Sequence, residues 1–191
     1  MPRDANISIF GAAVDADGNL HVTEESTAAT YGVAGIAMTP AAIPTDIVTL
    51  VGSATKTLRI KRVVISGLAT TAGTMDVSLV KRTVANTGGT ATQPSISQFD
   101  SSDVAPTGVV NQFSVNPTGL GTGVIVSSQK LNFPLATAGA ASNLVFDFAT
   151  RNDKPIILRG IAQCLAINLN AQALSGGNTV SYAIEWSEDL S

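Results

Sequence analysis

The sequence predicts an all-β protein, a two-sheet β-sandwich, on three observations. Apolar residues recur at every second position in several stretches: Met75, Val77 and Leu79; Leu165, Ile167 and Leu169; Val180, Tyr182, Ile184 and Trp186. Alternation of that kind puts one set of side chains on the buried face of a strand. No apolar pattern at helical spacing persists for three turns without Gly, Pro or a β-branched residue, so little helix is expected. Clusters of Gly, Asn, Asp and Pro separate the apolar runs and supply the dihedral angles that turns need. About eight to ten short strands in one body suggest a sandwich of jelly-roll type, with an immunoglobulin-like arrangement as the alternative.

Residues 1–45 differ in texture from the rest and read as an extended N-terminal arm, with the sandwich body at 46–191. Within the arm, Ile7 to Phe10 and Leu20 to Thr23 are short strand candidates on either side of turn chemistry at Asp15, Asp17, Gly18 and Asn19. From position 26 to 44 the chain is rich in Ala, Gly and Thr, broken by Pro40 and Pro44. Too little apolar bulk is present there for an independent fold, so the arm is expected either to order against the body or a neighbouring subunit or to be a disordered tail.

The body begins with a β-rich run at Ile47, Val48, Leu50 and Val51. Leu58 and Ile60 alternate with Arg59 and Lys61, then Arg62 breaks the period before Val63, Val64 and Ile65, which predicts a bulge or bend at Arg62. A long polar loop carrying Asp100 and Asp103 is expected over residues 86–106, a surface excursion of the kind that carries function on a β scaffold. Val109 to Val115 reads as a strand and Asn116 to Gly119 as a turn. Val124 to Val126 and Leu131 to Phe133 read as two apolar pieces flanking a polar stretch. Leu144, Phe146 and Phe148 face one way, with Asp147 opposite. Residues 151–155 read as a turn before a strand at Ile156 to Leu158, and Ser175 to Asn178 as a hairpin turn between the last two strands.

With 191 residues the chain is long enough for one domain with a proper core. Charged residues are only 13% and aromatics 5%, against about 25% charged in an average globular protein. Hydroxyls, amides and small side chains must therefore cover much of the surface. Such a surface is cheap to desolvate, which suggests assembly into something larger. Net charge is −3, and the adjacent basic pairs Lys61-Arg62 and Lys81-Arg82 do not amount to the clustered cationic face that nucleic acid requires. Neither a signal peptide nor a continuous membrane-spanning stretch is read from the sequence, so a soluble product made in a cytoplasm is expected.

Chemistry-bearing signals are sparse. His21 is the one histidine and lacks any signature linking it to a serine. Cys164 is the one cysteine, which excludes an internal disulfide, and it reads as a small buried hydrophobe. Gly119, Gly121 and Gly123 resemble half a phosphate loop but lack its lysine, so they read as a turn. Asp15, Asp17 and Asn19 bring oxygens round a turn as calcium loops do, but no glutamate completes the set, and the turn reading is preferred. Arg151, Asp153 and Lys154 read as a small ion network at a turn. Trp186 reads as a core residue with Tyr182 and Ile184 rather than as a sugar platform. No catalytic, cofactor-binding or metal-ligating residue is assigned, and no enzymatic activity is expected.

Several phrases carry a resemblance. The stretch Leu58-Arg-Ile-Lys-Arg-Val-Val-Ile-Ser-Gly67 followed by Gly73-Thr-Met-Asp-Val-Ser-Leu79, together with Asn86-Thr-Gly-Gly89, Phe148-Ala-Thr-Arg-Asn-Asp153 and Ile184-Glu-Trp-Ser-Glu188, resembles structural proteins of tailed bacteriophages. The resemblance runs from about residue 40 and implies a capsid decoration or cement protein: a β-sandwich, often trimeric, seated on the outside of the capsid lattice. Its implied partners are the major capsid protein and further copies of itself, with no nucleic acid and no membrane. A tail, fibre or head-fibre component is the alternative, and a carbohydrate-binding module a more distant one. The resemblance carries over a role and no site residues.

Overall fold

The computed structural model describes residues 28–135, 137, 142–148, 154–173 and 178–190. These form twelve β-strands and no α-helix. The strands are β1 (Ala29–Met38), β2 (Asp46–Val51), β3 (Lys56–Leu68), β4 (Gly73–Arg82), β5 (Thr90–Thr92), β6 (Ser97–Gln98), β7 (Val109–Val115), β8 (Gly123–Phe133), β9 (Asn143–Asp147), β10 (Ile156–Arg159), β11 (Cys164–Asn168) and β12 (Thr179–Leu190). They build two six-stranded antiparallel sheets that pack as a β-sandwich, as the alternation predicts.

The first sheet runs β10-β3-β12-β1-β6, with β9 also against β3. Strand β3 is long enough to serve both: β10 pairs with Thr57 to Ile60, and β9 with Arg62 to Ser66. The second sheet runs β5-β7-β2-β11-β4-β8. Among the described residues, no ladder joins two strands that are neighbours in sequence.

The core lies between the inner faces. The first sheet supplies Tyr31, Val33, Leu58, Ile60, Val63, Ile65, Ile184 and Trp186, and the second Val48, Leu50, Val77, Leu79, Leu165 and Ile167. Each large aliphatic side chain removed from water in this way contributes about 1.5–3 kcal/mol. Tyr31 and Trp186 stand opposite each other on β1 and β12, their rings tilted by 34° at 5.9 Å. Tyr182 is buried on the same face of β12, and its ring leaves no room for a side chain at Gly35, where a Cβ would lie 2.2 Å from it.

The bulge expected at Arg62 is present. Against β12, Ile60 stands opposite Trp186 and Arg62 opposite Glu185, which leaves Lys61 as the extra residue. The physical reason is parity: Ile60 and Val63 are both buried, and an odd spacing between two inward side chains needs one extra residue.

Other expectations are modified. Residues 29–38, read as part of an arm, form β1, and its Tyr31 and Val33 lie in the core. The Gly- and Ala-rich composition there reflects close packing rather than a lack of structure. The two apolar pieces at 124–126 and 131–133 are one continuous strand, β8, because the polar residues between them pair with β4. The long loop contains two short strands, β5 and β6. The last two strands do not form a hairpin: β11 belongs to the second sheet and β12 to the first. Alternation shows that each is a strand and is silent on its partner. The strand candidates at 7–10 and 20–23, the turn at 15–19 and His21 lie outside the described residues, as do Arg151 and Asp153.

Candidate interaction surface

Among the described residues, two groups of buried polar side chains tie strands and loops together, and two apolar surfaces are left uncovered. The first polar group centres on Asp46 at the start of β2, which is fully buried. Arg82, at the end of β4, donates from Nε to Asp46 Oδ2 at 2.6 Å and from Nη2 to Oδ1 at 2.7 Å. Asn86 and Asn168 each donate a further amide hydrogen bond to the carboxylate, at 2.6 and 2.5 Å. The remaining Arg82 nitrogen reaches the carbonyl of Gly121 at 2.5 Å, and the Gly121 N–H donates to Asn86 Oδ1 at 2.9 Å. The network satisfies the buried carboxylate with four donors and joins β2, β4, β11 and the β7–β8 connection.

At the second site, Glu188 on β12 accepts hydrogen bonds from the Thr107 backbone and hydroxyl, the Gly108 N–H and the Trp186 indole, with Lys56 at 3.6 Å. Burial pushes this carboxyl up, but the donors from Thr107, Gly108 and Trp186 outweigh it and hold it below the ordinary glutamate range. The carboxylate thereby ties the end of the long 86–106 excursion to the first sheet. Tyr31 adds a hydrogen bond to the Val104 carbonyl at 2.8 Å.

The glycine motif has a packing explanation. Past Arg82 the β4–β8 pairing continues into the loops, with Thr83 N–H bonded to Thr122 O and Thr87 N–H to Gly119 O. Gly119, Gly121 and Gly123 all face that opposing chain. A Cβ would lie 2.5 Å from Thr87 Oγ1 at Gly119, 1.7 Å from the Val84 carbonyl at Gly121, and 2.6 Å from the Lys81 carbonyl at Gly123. The motif is an extended segment rather than a turn, and its glycines let two backbones touch. At this corner Val84, Leu120, Val124, Ile125 and Val126 are exposed.

The other uncovered surface is the outer face of the first sheet. The register places Ala34, Ala183, Val64 and Val145 in one row across β1, β12, β3 and β9. Ile36 and Leu68 are exposed nearby and, with Ser66 and Ser181, line a shallow groove of about 310 Å³. The neighbouring row reads Glu185, Arg62, Asp147, with alternating charge. One half of the face is thus apolar or hydroxylic and the other ionic, continued by the Arg59–Asp189 pair.

Cys164 is buried, and burial pushes its thiol up to about 11, in line with the reading of it as a small hydrophobe. Trp186 is fully buried in the core, as read. Among the described residues no three His, Cys, Asp or Glu side chains group as metal ligands. A larger cleft of about 720 Å³ is lined by uncharged residues such as Gly73, Thr74, Asn132 and Phe133. The Asp46 network was not read from the sequence, since its members are scattered over four segments. Glu188 had a signal: it continues the inward alternation of Val180 to Trp186 by one step. No family model, no curated protein and no solved structure matches this chain.

Proposed function

We propose that this chain is a structural subunit of a tailed-phage virion, a decoration or cement protein that binds the outside of the capsid and stabilises it without catalysis. The observation that carries the reading is the divided outer face of the first sheet. Its apolar row offers area to bury, and the charged row beside it fixes orientation and register on a partner. The low overall charge and the resemblance of the strand phrases to phage structural proteins support the same reading.

The work of such a subunit is thermodynamic. Internal pressure strains a shell, and area buried between the shell and an added layer raises the cost of dissociation. At about 25 cal/mol per Å² of apolar area, modest contacts repeated over a lattice sum to a large stabilisation. Its partner is the major capsid protein, and its location the capsid surface after synthesis in the host cytoplasm.

Cosedimentation with purified shells stripped of their decoration tests this. The expected result is saturable binding at a fixed number of copies per capsomer, lost when Ile36 and Val145 are both changed to Glu. A folded protein that ignores shells of its phage would overturn the reading and direct attention to a tail or fibre role.

A further inference from the structure

We infer that residues 93–107 are a strap that lets go of the first sheet as a unit when the Glu188 carboxylate is neutralised, while both sheets stay folded. The inference holds whatever the outer face of the first sheet binds.

The strap leaves β5 and returns in β7, both strands of the second sheet. Between them it crosses to the first sheet, where its β6 pairs with Tyr31 and Gly32 of β1. The Phe99 N–H adds a bond to the Thr30 carbonyl at 2.9 Å. None of residues 93–107 is buried, and Phe99 and Val104 are well exposed. Ile96 is its one apolar side chain packed, partly buried, against the core. A segment with so little apolar burial opens at low cost unless polar contacts hold it. Those contacts converge on Glu188. The Thr107 N–H donates to it at 2.9 Å, the Thr107 hydroxyl at 2.7 Å and the Gly108 N–H at 2.9 Å. Gly108 can come this close because it lacks a side chain: a Cβ there would lie 2.6 Å from Leu58. Within the strap, Ser102 and Asp103 bond back to Asp100, and Gln98 to the Asp103 carbonyl, so the segment keeps its own shape.

Charge on Glu188 is what gives these contacts their strength, since a hydrogen bond to an ionised acceptor is about twice as strong as one to a neutral group. The groups facing the carboxylate are few. Lys56 of β3 stands 3.6 Å away and favours the charged form. Tyr31 of β1 is a neutral phenol in acid and binds the Val104 carbonyl of the strap. Asp103, in the strap, is the like charge on this side. Arg59 and Asp189 pair with each other on the other face of the sheet. The donors on Glu188 favour its ionised form in the closed state, so the strap is closed above the ordinary glutamate value and opens as pH falls through the lower folded one. Opening uncovers the β1 edge at Thr30 to Gly32. Among the described residues, Val33 to Met38 already pair with β12 alone. Release of the strap therefore bares the whole edge of a strand of 10 residues, a surface suited to strand addition.

Amide hydrogen exchange on the full chain tests the inference, each rate being expressed as protection relative to an unstructured peptide at the same pH. At neutral pH Glu188→Gln should lower the protection of the Phe99, Thr107 and Gly108 amides at least about tenfold. The amides of Ile184 in β12 and Leu165 in β11 should keep theirs. The parent should make the same selective change in acid, and the Gln variant should no longer respond to acid at these three amides. Thr107→Val removes the hydroxyl bond and leaves the carboxylate. It serves if the Gln variant fails to fold, and should loosen the same amides at neutral pH while retaining the acid response. Unchanged protection at 99, 107 and 108 in the variants would overturn the strap. So would its loss in step with Ile184 and Leu165, or an acid response in the Gln variant as large as in the parent.

Discussion

Arg82 and Asp46 meet in a two-point ion pair although their backbones stand at opposite ends of β11, Arg82 facing Cys164 and Asp46 facing Asn168. The arginine side chain must therefore run back along the sheet, carrying its third contact to the Gly121 carbonyl. The pair is buried on both sides, with side-chain exposures of 7% and 0%. Removing one partner of such a pair strands the other charge out of water.

Arg82→Ala should accordingly destabilise the fold by about 3–5 kcal/mol. Arg82→Lys should recover little of this, because an ammonium cannot form the planar two-point contact. Asn86→Ala removes one donor and leaves the ion pair, for a cost of about 1–3 kcal/mol. Urea unfolding of the three variants checks the order.

Acid should release the loop that Glu188 holds. Its carboxyl is harder to protonate in the folded protein than in the unfolded chain. It therefore stabilises the fold at pH above the ordinary glutamate value of about 4.3, and the contribution is lost as pH falls through the lower folded value. Glu188→Gln should be less stable than the parent at neutral pH, and the gap should close in acid. Paired pH-dependent melting curves measure this.

Alkali should act through the tyrosines. The chain has two. Burial raises Tyr182 to about 12, and burial with the nearby Glu188 and Asp103 carboxylates raises Tyr31. Both favour the fold fully below the ordinary tyrosine value of about 10, and that advantage is lost as pH rises through the folded values. Phenolate absorbance should therefore appear together with unfolding, above pH 10, and not before it. A gradual rise near pH 10 with the circular dichroism unchanged would contradict the burial of both rings.

Gly121→Ala should separate the two chains at the β8 corner, since the new methyl would meet the Val84 carbonyl. A cost of about 1–3 kcal/mol is expected from overpacking. Hydrogen exchange at Thr83 and Thr87, whose amides bond across this junction, should quicken while the core of the first sheet is unchanged.

Fold class was legible because alternation is a local property. Val180 to Trp186 and Met75 to Leu79 announced their inward faces, and the parity break at Arg62 located a bulge. Partnership was not legible. Ser175 to Asn178 suggested a hairpin because turn chemistry is local too, yet β11 and β12 lie in different sheets. Val124 to Val126 looked like a short isolated strand because Ser127 to Lys130 are polar, and only the pairing with β4 shows that they continue it. The Asp46 network depends on residues as far apart as positions 46 and 168, a distance along the chain that no local pattern spans. The corner at Ile125 was hidden for a related reason: three consecutive aliphatics suggest burial, and the fold leaves them on an edge.

Strand β12 sits between β3 and β1 and holds Tyr182, Ile184 and Trp186 in the core. A nascent chain therefore cannot close its first sheet until the ribosome has released the segment through residue 190. Until then β1 and β3, some of the earliest strands made, wait with unsatisfied edges and bare apolar faces. Folding of the first sheet therefore waits on the last of its strands, and a chaperone that shields β-rich chains would find its substrate in this interval.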